Sequence, residues 1–335
     1  METTLEVNEA SQVAEVRRVA AEMARVEKMT VAETGRLALV ASETSTNLVK
    51  YGKGGTVTLT RYAEHGQHGV QIIAIDSGPG IADFAAASRD GYSTAGSLGI
   101  GLGVIMRSSN FFDVYSVPAQ GTVMVARVAR GTPRSAEATV PAPFESAGRS
   151  IPKKGQLECG DAWAVRDFGK RQLICVVDGL GHGPLAALAA QRAVSVFTAA
   201  RPAEAPTAIV MRAHEQLKDT RGVVMAVLAL DAGAGMADYC GVGNIAATIF
   251  QGDEARHLLS VEGTVGYRLR PVRNREAAWG ANCVVVLYTD GVSGRWGMPK
   301  YPGLLTKHPS LIASMLFRDH ARDSDDATIV VGRSN

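Results

Sequence analysis

A proline-rich seam divides this chain in two. Arg130–Pro143 reads Arg-Gly-Thr-Pro-Arg-Ser-Ala-Glu-Ala-Thr-Val-Pro-Ala-Pro. Proline lacks the amide that a helix interior or central strand needs, and small polar residues add no core. The chain is therefore expected to fold as two pieces, residues 1–130 and 144–335, joined by a linker at 131–143. A length of 335 residues agrees with this, at roughly 100–200 residues per domain. Hydrophobic residues make up 46% and charged residues 20%, so each piece can bury a core. The net charge of +2 comes from 35 basic and 33 acidic residues. That balance argues against nucleic acid or an anionic membrane as a partner. The longest apolar runs, such as Val223–Leu230, are far too short to span a bilayer, and Leu185–Ala200 is broken by Gln191 and Arg192. The first residues, Met-Glu-Thr-Thr, lack the basic and apolar pattern of a signal peptide. Cys159, Cys175, Cys240 and Cys283 lie far apart. They suit reduced thiols in the cytoplasm and neither a disulfide framework nor a zinc site.

In the first piece, apolar spacing predicts helices over Val13–Lys28 and Ala32–Lys50, the second stopped by Gly52–Gly55. Strands are expected at Thr56–Arg61 and Val70–Ile75, a helix after Gly91–Gly103, and a closing hairpin from Phe112–Ser116 and Gly121–Val128. There is no G-x-x-x-x-G-K-[ST] phosphate loop. Instead Glu43 and Asn47 fall four apart on one helix face. A carboxylate and an amide there can serve as proton acceptor and Mg²⁺ ligand, although any polar helix face has such pairs. Asp76-Ser77-Gly78-Pro79-Gly80 follows a strand, where an aspartate can accept from an adenine amine; by itself it also reads as a turn. Glycines at 96, 99, 101 and 103 lead into a helix start, where bare amides attract phosphate. Gly121-Thr122 precedes the last strand.

Taken in order, these segments resemble the histidine-kinase-type ATPase superfamily. Within it they resemble the anti-sigma-factor serine kinases, and most closely the stressosome switch kinases (RsbT-type). Ala41–Gly52, Asp76–Ile81 and Asp90–Arg107 carry the resemblance, which covers nearly all of 1–130. It implies an α/β sandwich binding ATP with Mg²⁺. Glu43 would be the catalytic base, Asn47 the Mg²⁺ ligand and Asp76 the adenine contact. Gly78, Gly80, Gly99, Gly101, Gly103 and Thr122 would shape the pocket and its lid. One departure is Tyr51 before Gly52, where many of the wider kinase group have His-Gly.

The second piece reads as strands Trp163–Asp167, Leu173–Val177, Val223–Asp231, Met236–Cys240, Ala246–Gln251, Ala255–Ser260, Cys283–Thr289 and Thr328–Val331. Two helices are expected among them, Pro184–Ala200 and Pro206–Asp219. Acidic residues recur where strands end: Gly160-Asp161, Asp178-Gly179-Leu180-Gly181-His182-Gly183, Thr289-Asp290-Gly291 and Ser324-Asp325-Asp326-Ala327-Thr328. Any one Asp-Gly is ordinarily a turn. Four at strand ends can converge on divalent cations.

This piece resembles the metal-dependent PP2C-type serine/threonine phosphatases, in particular the sporulation branch and the small stressosome phosphatases (RsbX-type). The segments above, with Gly241–Asn244, carry the resemblance over Phe144–Val331. It implies an αββα sandwich holding two Mn²⁺ or Mg²⁺ ions. Asp178 would bridge them, the Gly179 carbonyl would bind one, and Asp161, Asp290 and Asp325 would complete the shells, Asp325 being preferred to Asp326. His182 reads as capping or positioning its turn, with a catalytic acid as the lesser alternative, Gly241–Asn244 as support, and Arg149 as a candidate phosphate-binding arginine.

The whole chain is thus expected to be an α+β, two-domain, cytoplasmic regulator. One domain would phosphorylate a serine and the other would remove the phosphate, both on a STAS-domain partner, and an oligomer is compatible with that circuit. Two other readings stand beside it: a phosphatase governed by an ATP-sensing, non-catalytic amino-terminal domain, and a non-enzymatic interaction protein.

Overall fold

A computed structural model describes residues 2–64, 66–81, 84, 101–131, 143–252 and 254–335. Most of the expected linker, 132–142, and the glycine-rich segment 85–100 with Gly99 lie outside the described residues. The chain divides into two units, Met1–Val140 and Pro141–Asn335.

The first unit contains β1 (Glu2–Glu6), α1 (Ala10–Val26), α2 (Val31–Lys50), β2 (Thr56–Glu64), β3 (Gln67–Ile75), α3 (Gly101–Ser108), β4 (Phe111–Val117) and β5 (Gly121–Ala129). Its antiparallel sheet runs β1-β2-β3-β5-β4. Alternate strand residues, including Leu59, Ile72, Ala74, Ala126 and Val128, pack against Val16, Ala20 and Met23 of α1 and Leu37, Val40 and Leu48 of α2. Both helices thus bury one stripe on one sheet face. Thr30 caps α2: its hydroxyl accepts from the Glu33 amide, and the Glu33 carboxylate accepts from the Thr30 amide. Glu33 also accepts from the Gly131 amide at 2.7 Å, which ties the end of the unit to its second helix. β1 was not expected. Its Glu-Thr-Thr-Leu-Glu composition is polar, and its pairing with Thr56–Thr60 of β2 supplies what the composition does not.

The second unit contains β6 (Phe144–Ile151), β7 (Asp161–Asp167), β8 (Arg171–Gly179), α4 (Pro184–Thr198), α5 (Pro206–Gln216), β9 (Val223–Asp231) and β10 (Met236–Val242). It continues with β11 (Ala246–Gln251), β12 (Glu254–Leu258), the short pair β13 (Gly263–Thr264) and β14 (Arg268–Leu269), β15 (Arg275–Ala278), β16 (Val284–Tyr288), α6 (Pro309–His320) and β17 (Ala327–Ser334). Two five-stranded antiparallel sheets, β15-β10-β9-β8-β7 and β12-β11-β16-β17-β6, form the centre. Ile174, Val176 and Leu228 from one meet Ile249, Val285, Leu287 and Val330 from the other. The opposite face of the first sheet, with Leu173, Cys175, Val177 and Val227, is covered by α4 and α5. α6 packs on β6 and β17. The unit is an αββα sandwich.

The sequence reading allowed only two helices here, and α6 is a third. Every residue from Pro309 to Phe317 is buried. A helix apolar all round shows no polar stripe, so its 3.6-residue period is invisible in the sequence. No described helix is long and apolar enough to cross a membrane.

β6 comes close to β7 at Gly148, where a Cβ would lie 2.6 Å from the Trp163 ring. Gly148→Ala should therefore overpack this contact and cost about 1–3 kcal/mol. All three tryptophans, Trp163, Trp279 and Trp296, belong to the second unit. Urea unfolding followed by tryptophan fluorescence should show a lowered midpoint with an unchanged slope.

Candidate active sites

In the first unit, α2 presents Glu43 and Asn47, both half-buried, toward the start of α3. A Cβ on Gly101, the first residue of α3, would lie 3.0 Å from Glu43 Oε2 and 3.3 Å from Asn47 Oδ1. The bare glycine lets a helix N-terminus, with its unpaired amides, approach the carboxylate and amide. Gly103, two residues further on, is buried.

Asp76 stands just past β3. Its Oδ1 accepts from the Gly78 amide at 2.8 Å and the Thr122 amide at 3.2 Å, and its own amide donates to the Thr122 carbonyl. Two main-chain donors fix the direction of this carboxylate. The Thr122 hydroxyl pairs with Ser116 Oγ at 2.9 Å, and Ser116 Oγ accepts from the Ile81 amide. Glycine is needed throughout. A Cβ on Gly52 would lie 2.8 Å from Asp76 Cβ, and one on Gly78 would lie 2.9 Å from Gly52 Cα. Gly80 and Gly121 have φ of +70° and +86°, in the left-handed region. Thus Glu43 and Asn47 of α2 meet the start of α3 at Gly101, and Asp76, Gly78, Gly80 and Thr122 gather where β3 ends and β5 begins. Tyr51, the departure noted above, caps α2 by donating its amide to Asn47 O.

In the second unit the sheet register places Asp161 directly opposite Asp178 on β7 and β8. Gly160, Gly179 and Gly291 bring the remaining acids in. A Cβ on Gly160 would lie 2.6 Å from Asp326 Oδ2, one on Gly179 2.3 Å from the Ala186 carbonyl of α4, and one on Gly291 1.9 Å from the Asp326 carbonyl. These glycines serve close approach and not reversal, since none of them is among the positive-φ glycines. Buried alanines at 186, 187, 189, 190 and 193 let α4 lie against the sheet beside them.

Neutral donors steady the acids. Thr289 Oγ donates to Asp161 Oδ2 at 2.7 Å, Asn244 Nδ2 to Asp290 Oδ2 at 2.8 Å, and the Lys153 amide to Asp326 Oδ1 at 2.9 Å. The sequence reading overlooked Thr289. Its signal was its place immediately before Asp290. Asn244, read as support, contacts one of the acids directly. Asp326 is buried whereas Asp325 is half-buried and accepts from the Asp326 amide.

Burial pushes the Asp161 carboxyl up to about 7. Hydrogen bonds from Thr289 and Thr328 oppose that, and Asp326 and Asp290 reinforce it. Asp178 rises to about 8, by burial first and then by the charges of Asp161, Asp290, Asp325 and Asp326. The five acids therefore feel one another. Among the described residues no three His, Cys, Asp or Glu side chains close on a single point. Carboxylates spaced in this way suit ions whose shells are completed by water and main-chain oxygen. Asp161 Oδ1 and Asp326 Oδ2 are buried with no hydrogen-bond partner. Such carboxylate oxygens are costly to leave unpaired, and a hard divalent cation satisfies them. The donor set fits Mg²⁺ or Mn²⁺.

One expectation fails. Arg149 does not face this cluster. Its neighbours Gly148 and Ser150 point inward, to Trp163 and to the Thr328 hydroxyl, and strand alternation sends Arg149 to the other face. There its guanidinium lies 5.3 Å from the Phe317 ring centre. Of the roles read for His182, capping is not seen: the N-cap of α4 is Gly183, with no side-chain cap, and His182 is exposed.

Comparison with known proteins agrees with both halves. The family model for the histidine kinase-like ATPase domain matches residues 7–127, and that for stage II sporulation protein E (SpoIIE) matches 169–334. The serine/threonine-protein kinase RsbT of Bacillus subtilis (strain 168) is 37% identical over 90 residues, 27% of this chain and 68% of RsbT. The phosphoserine phosphatase RsbX of the same organism is 24% identical over 184 residues, 54% of this chain and 90% of RsbX. Two solved structures share the fold. RsbX in complex with magnesium has a TM-score of 0.50 at 20% identity, over 57% of this chain and 96% of that one. The PP2C phosphatase domain with a fragment of the regulatory domain of SpoIIE from Bacillus subtilis has a TM-score of 0.50 at 14% identity, over 96% and 93%. The chain belongs to the histidine kinase-like ATPase family through its first unit, an RsbT-related domain, fused to a SpoIIE-type PP2C serine/threonine phosphatase domain.

The raised acids give the second unit a pH signature. Both carboxyls lie above their ordinary 3.8 in the fold. Folding therefore favours their protonated form, and that stabilisation is lost as pH climbs through about 7–8. In EDTA, the tryptophan-monitored melting temperature should fall between about pH 5.5 and 8.5. Excess Mg²⁺ or Mn²⁺ should abolish the fall, and Asp178→Asn should flatten it without metal. An equally steep fall with and without metal would count against the cation site.

Proposed function

We propose that the chain is a bifunctional partner-switching regulator, an ATP-dependent protein-serine kinase in its first unit and a metal-dependent phosphoserine phosphatase in its second. The observation that carries the reading is the convergence of Asp161, Asp178, Asp290, Asp325 and Asp326 at one end of the sandwich, in a chain that also holds Glu43 and Asn47 against a helix N-terminus. The substrate is a serine on a STAS-domain protein. One phosphoserine on an interface admits or repels a partner by charge.

In the first site, Asp76 accepts from the adenine amine, and Gly78, Gly80 and Thr122 shape the wall around it. Asn47 holds Mg²⁺ with ATP. The start of α3, at Gly101 and Gly103, offers amides to the phosphates. Glu43 takes the proton of the serine hydroxyl as its oxygen attacks the γ-phosphorus, and ADP leaves.

In the second site, Asp178 and the Gly179 carbonyl, with Asp161, Asp290 and Asp325, hold two divalent cations. Asp326 is buried beside them and orders the Lys153 amide. Bound Mg²⁺ or Mn²⁺ supplies charge for the phosphoryl oxygens and an activated water. RsbX, described with magnesium, supports this choice of ion. Asn244 and Thr289 keep Asp290 and Asp161 oriented.

The test uses the whole chain, Glu43→Gln and Asp178→Asn, each with a STAS protein, ATP and Mn²⁺. Asp178→Asn should accumulate phosphoserine on the partner, Glu43→Gln should only remove it, and the unaltered chain should hold an intermediate level, as read by mass spectrometry. Phosphatase activity without phosphotransfer would assign the first unit to ATP sensing.

Asp76→Asn places a donor before the adenine amine. It should weaken nucleotide binding by about 1–3 kcal/mol in calorimetry, whereas Glu43→Gln should leave binding near that of the unaltered chain.

A further inference from the structure

If the second unit is the phosphatase proposed above, its charges do not balance for its substrate. Five carboxylates face the site. Two divalent cations leave about one negative charge, and a phosphoserine brings about −1.5 to −2 more. Arg149 lies on the wrong face to offset this. Two other arginines adjoin the loops that carry the acids.

Arg221 sits between α5 and β9. Its loop is stitched to the residues after Asp178 and Gly179, since the Leu180 amide donates to the Gly222 carbonyl at 3.1 Å. The loop has little freedom. The Gly222 amide donates to Thr220 Oγ, and the Thr220 amide to the Leu217 carbonyl. Gly222 itself has φ of +81°, with Thr264 and Val265 where a Cβ would be. On this stem the Arg221 Nη1 stands 3.1 Å from the position of a Gly181 Cβ, so the bare glycine makes room for the guanidinium.

Arg322 stands beside the third acid. Its amide donates to the Gly291 carbonyl at 2.9 Å, and its Nη1 comes within 3.5 Å of the Asp290 carbonyl. Both arginines are exposed. Among the described residues neither forms an ion pair with a carboxylate, unlike Arg192 with Asp219 or Arg212 with Glu204.

We propose that Arg221 and Arg322 bracket the mouth of the carboxylate site and bind the phosphate group of an incoming phosphoserine segment. Arg221 does so from the Asp178 side and Arg322 from the Asp290 side. A guanidinium presents a planar fork of donors that matches two phosphate oxygens. The pair offsets most of the excess negative charge and orients the phosphorus toward the acids.

The experiment pairs turnover with binding. A phosphoserine peptide is the substrate, and inorganic phosphate, which is not consumed, is titrated calorimetrically into the Mg²⁺-loaded full chain. Arg221→Ala and Arg322→Ala should each raise KM about tenfold, weaken phosphate binding by a similar factor, and change kcat by less than about threefold. Arg221→Lys should recover part of the loss, because it restores the charge without the fork. A chain that hydrolyses the peptide while both alanine variants keep its KM and phosphate affinity overturns the bracket and leaves the phosphatase reading standing. A chain that hydrolyses nothing with Mg²⁺ or Mn²⁺ overturns the phosphatase reading and the bracket with it.

Discussion

Close approach of main chain to main chain at a few glycines is what both sites depend on. In the second unit Gly160, Gly179 and Gly291 stand where a methyl group would collide with Asp326, α4 or the strand start at Ala327. Each is the neighbour of an acid, Asp161, Asp178 or Asp290. Removing the side chain beside each acid lets strands from both sheets deliver carboxylates to one space. The same device operates in the first unit, where Gly52 meets Asp76, Gly78 meets Gly52, and Gly101 meets Glu43 and Asn47. Larger residues at these points would push the chemistry-bearing side chains apart before altering the rest of the fold.

The closeness has an electrostatic cost that the two sites resolve in opposite ways. The first unit directs main-chain amides at its functional space: Gly78 and Thr122 hold Asp76, and the start of α3 faces Glu43 and Asn47. Such a site is prepared for an anion before any ligand arrives. The second unit gathers acids whose burial and mutual repulsion push Asp161 up to about 7 and Asp178 up to about 8. Hydroxyl donors from Thr289 and Thr328 ease this at Asp161 only in part. A site of that kind is incomplete without cations, so its stability and its chemistry are coupled to the same ions. One chain thus holds a site that directs main-chain amides inward and a site that gathers acids.

Much of the layout was legible from the residues. The division into two units, the helical face shared by Glu43 and Asn47, and the acids at strand ends are local patterns, set by proline chemistry and by the 3.6- and 2-residue periods. Helix α6 was not legible, because nine consecutive buried residues leave no stripe. Strand β1 was not legible either, because an edge strand of five mostly polar residues owes its conformation to β2. Arg149 was misplaced because a strand residue's face follows from the register of the whole sheet, and one strand read alone does not reveal which face is inward.

By itself the sequence determined which chemical groups exist and in what order: the glycines that permit contact, the acids beside them, the helix face with Glu43 and Asn47. Tertiary structure decided which of them meet. The pairing of Asp161 with Asp178 came from the β7–β8 register. The bond from Asn244 to Asp290 and the nearness of Arg221 to Gly181 came from loops distant in the chain. Asp326, not only Asp325, came to lie among the acids because β17 enters the sheet beside β6 and β16. The physical reason is that periodicity and propensity act over one turn or one strand, whereas a site assembled from four strand ends exists only once two sheets have closed on a shared core.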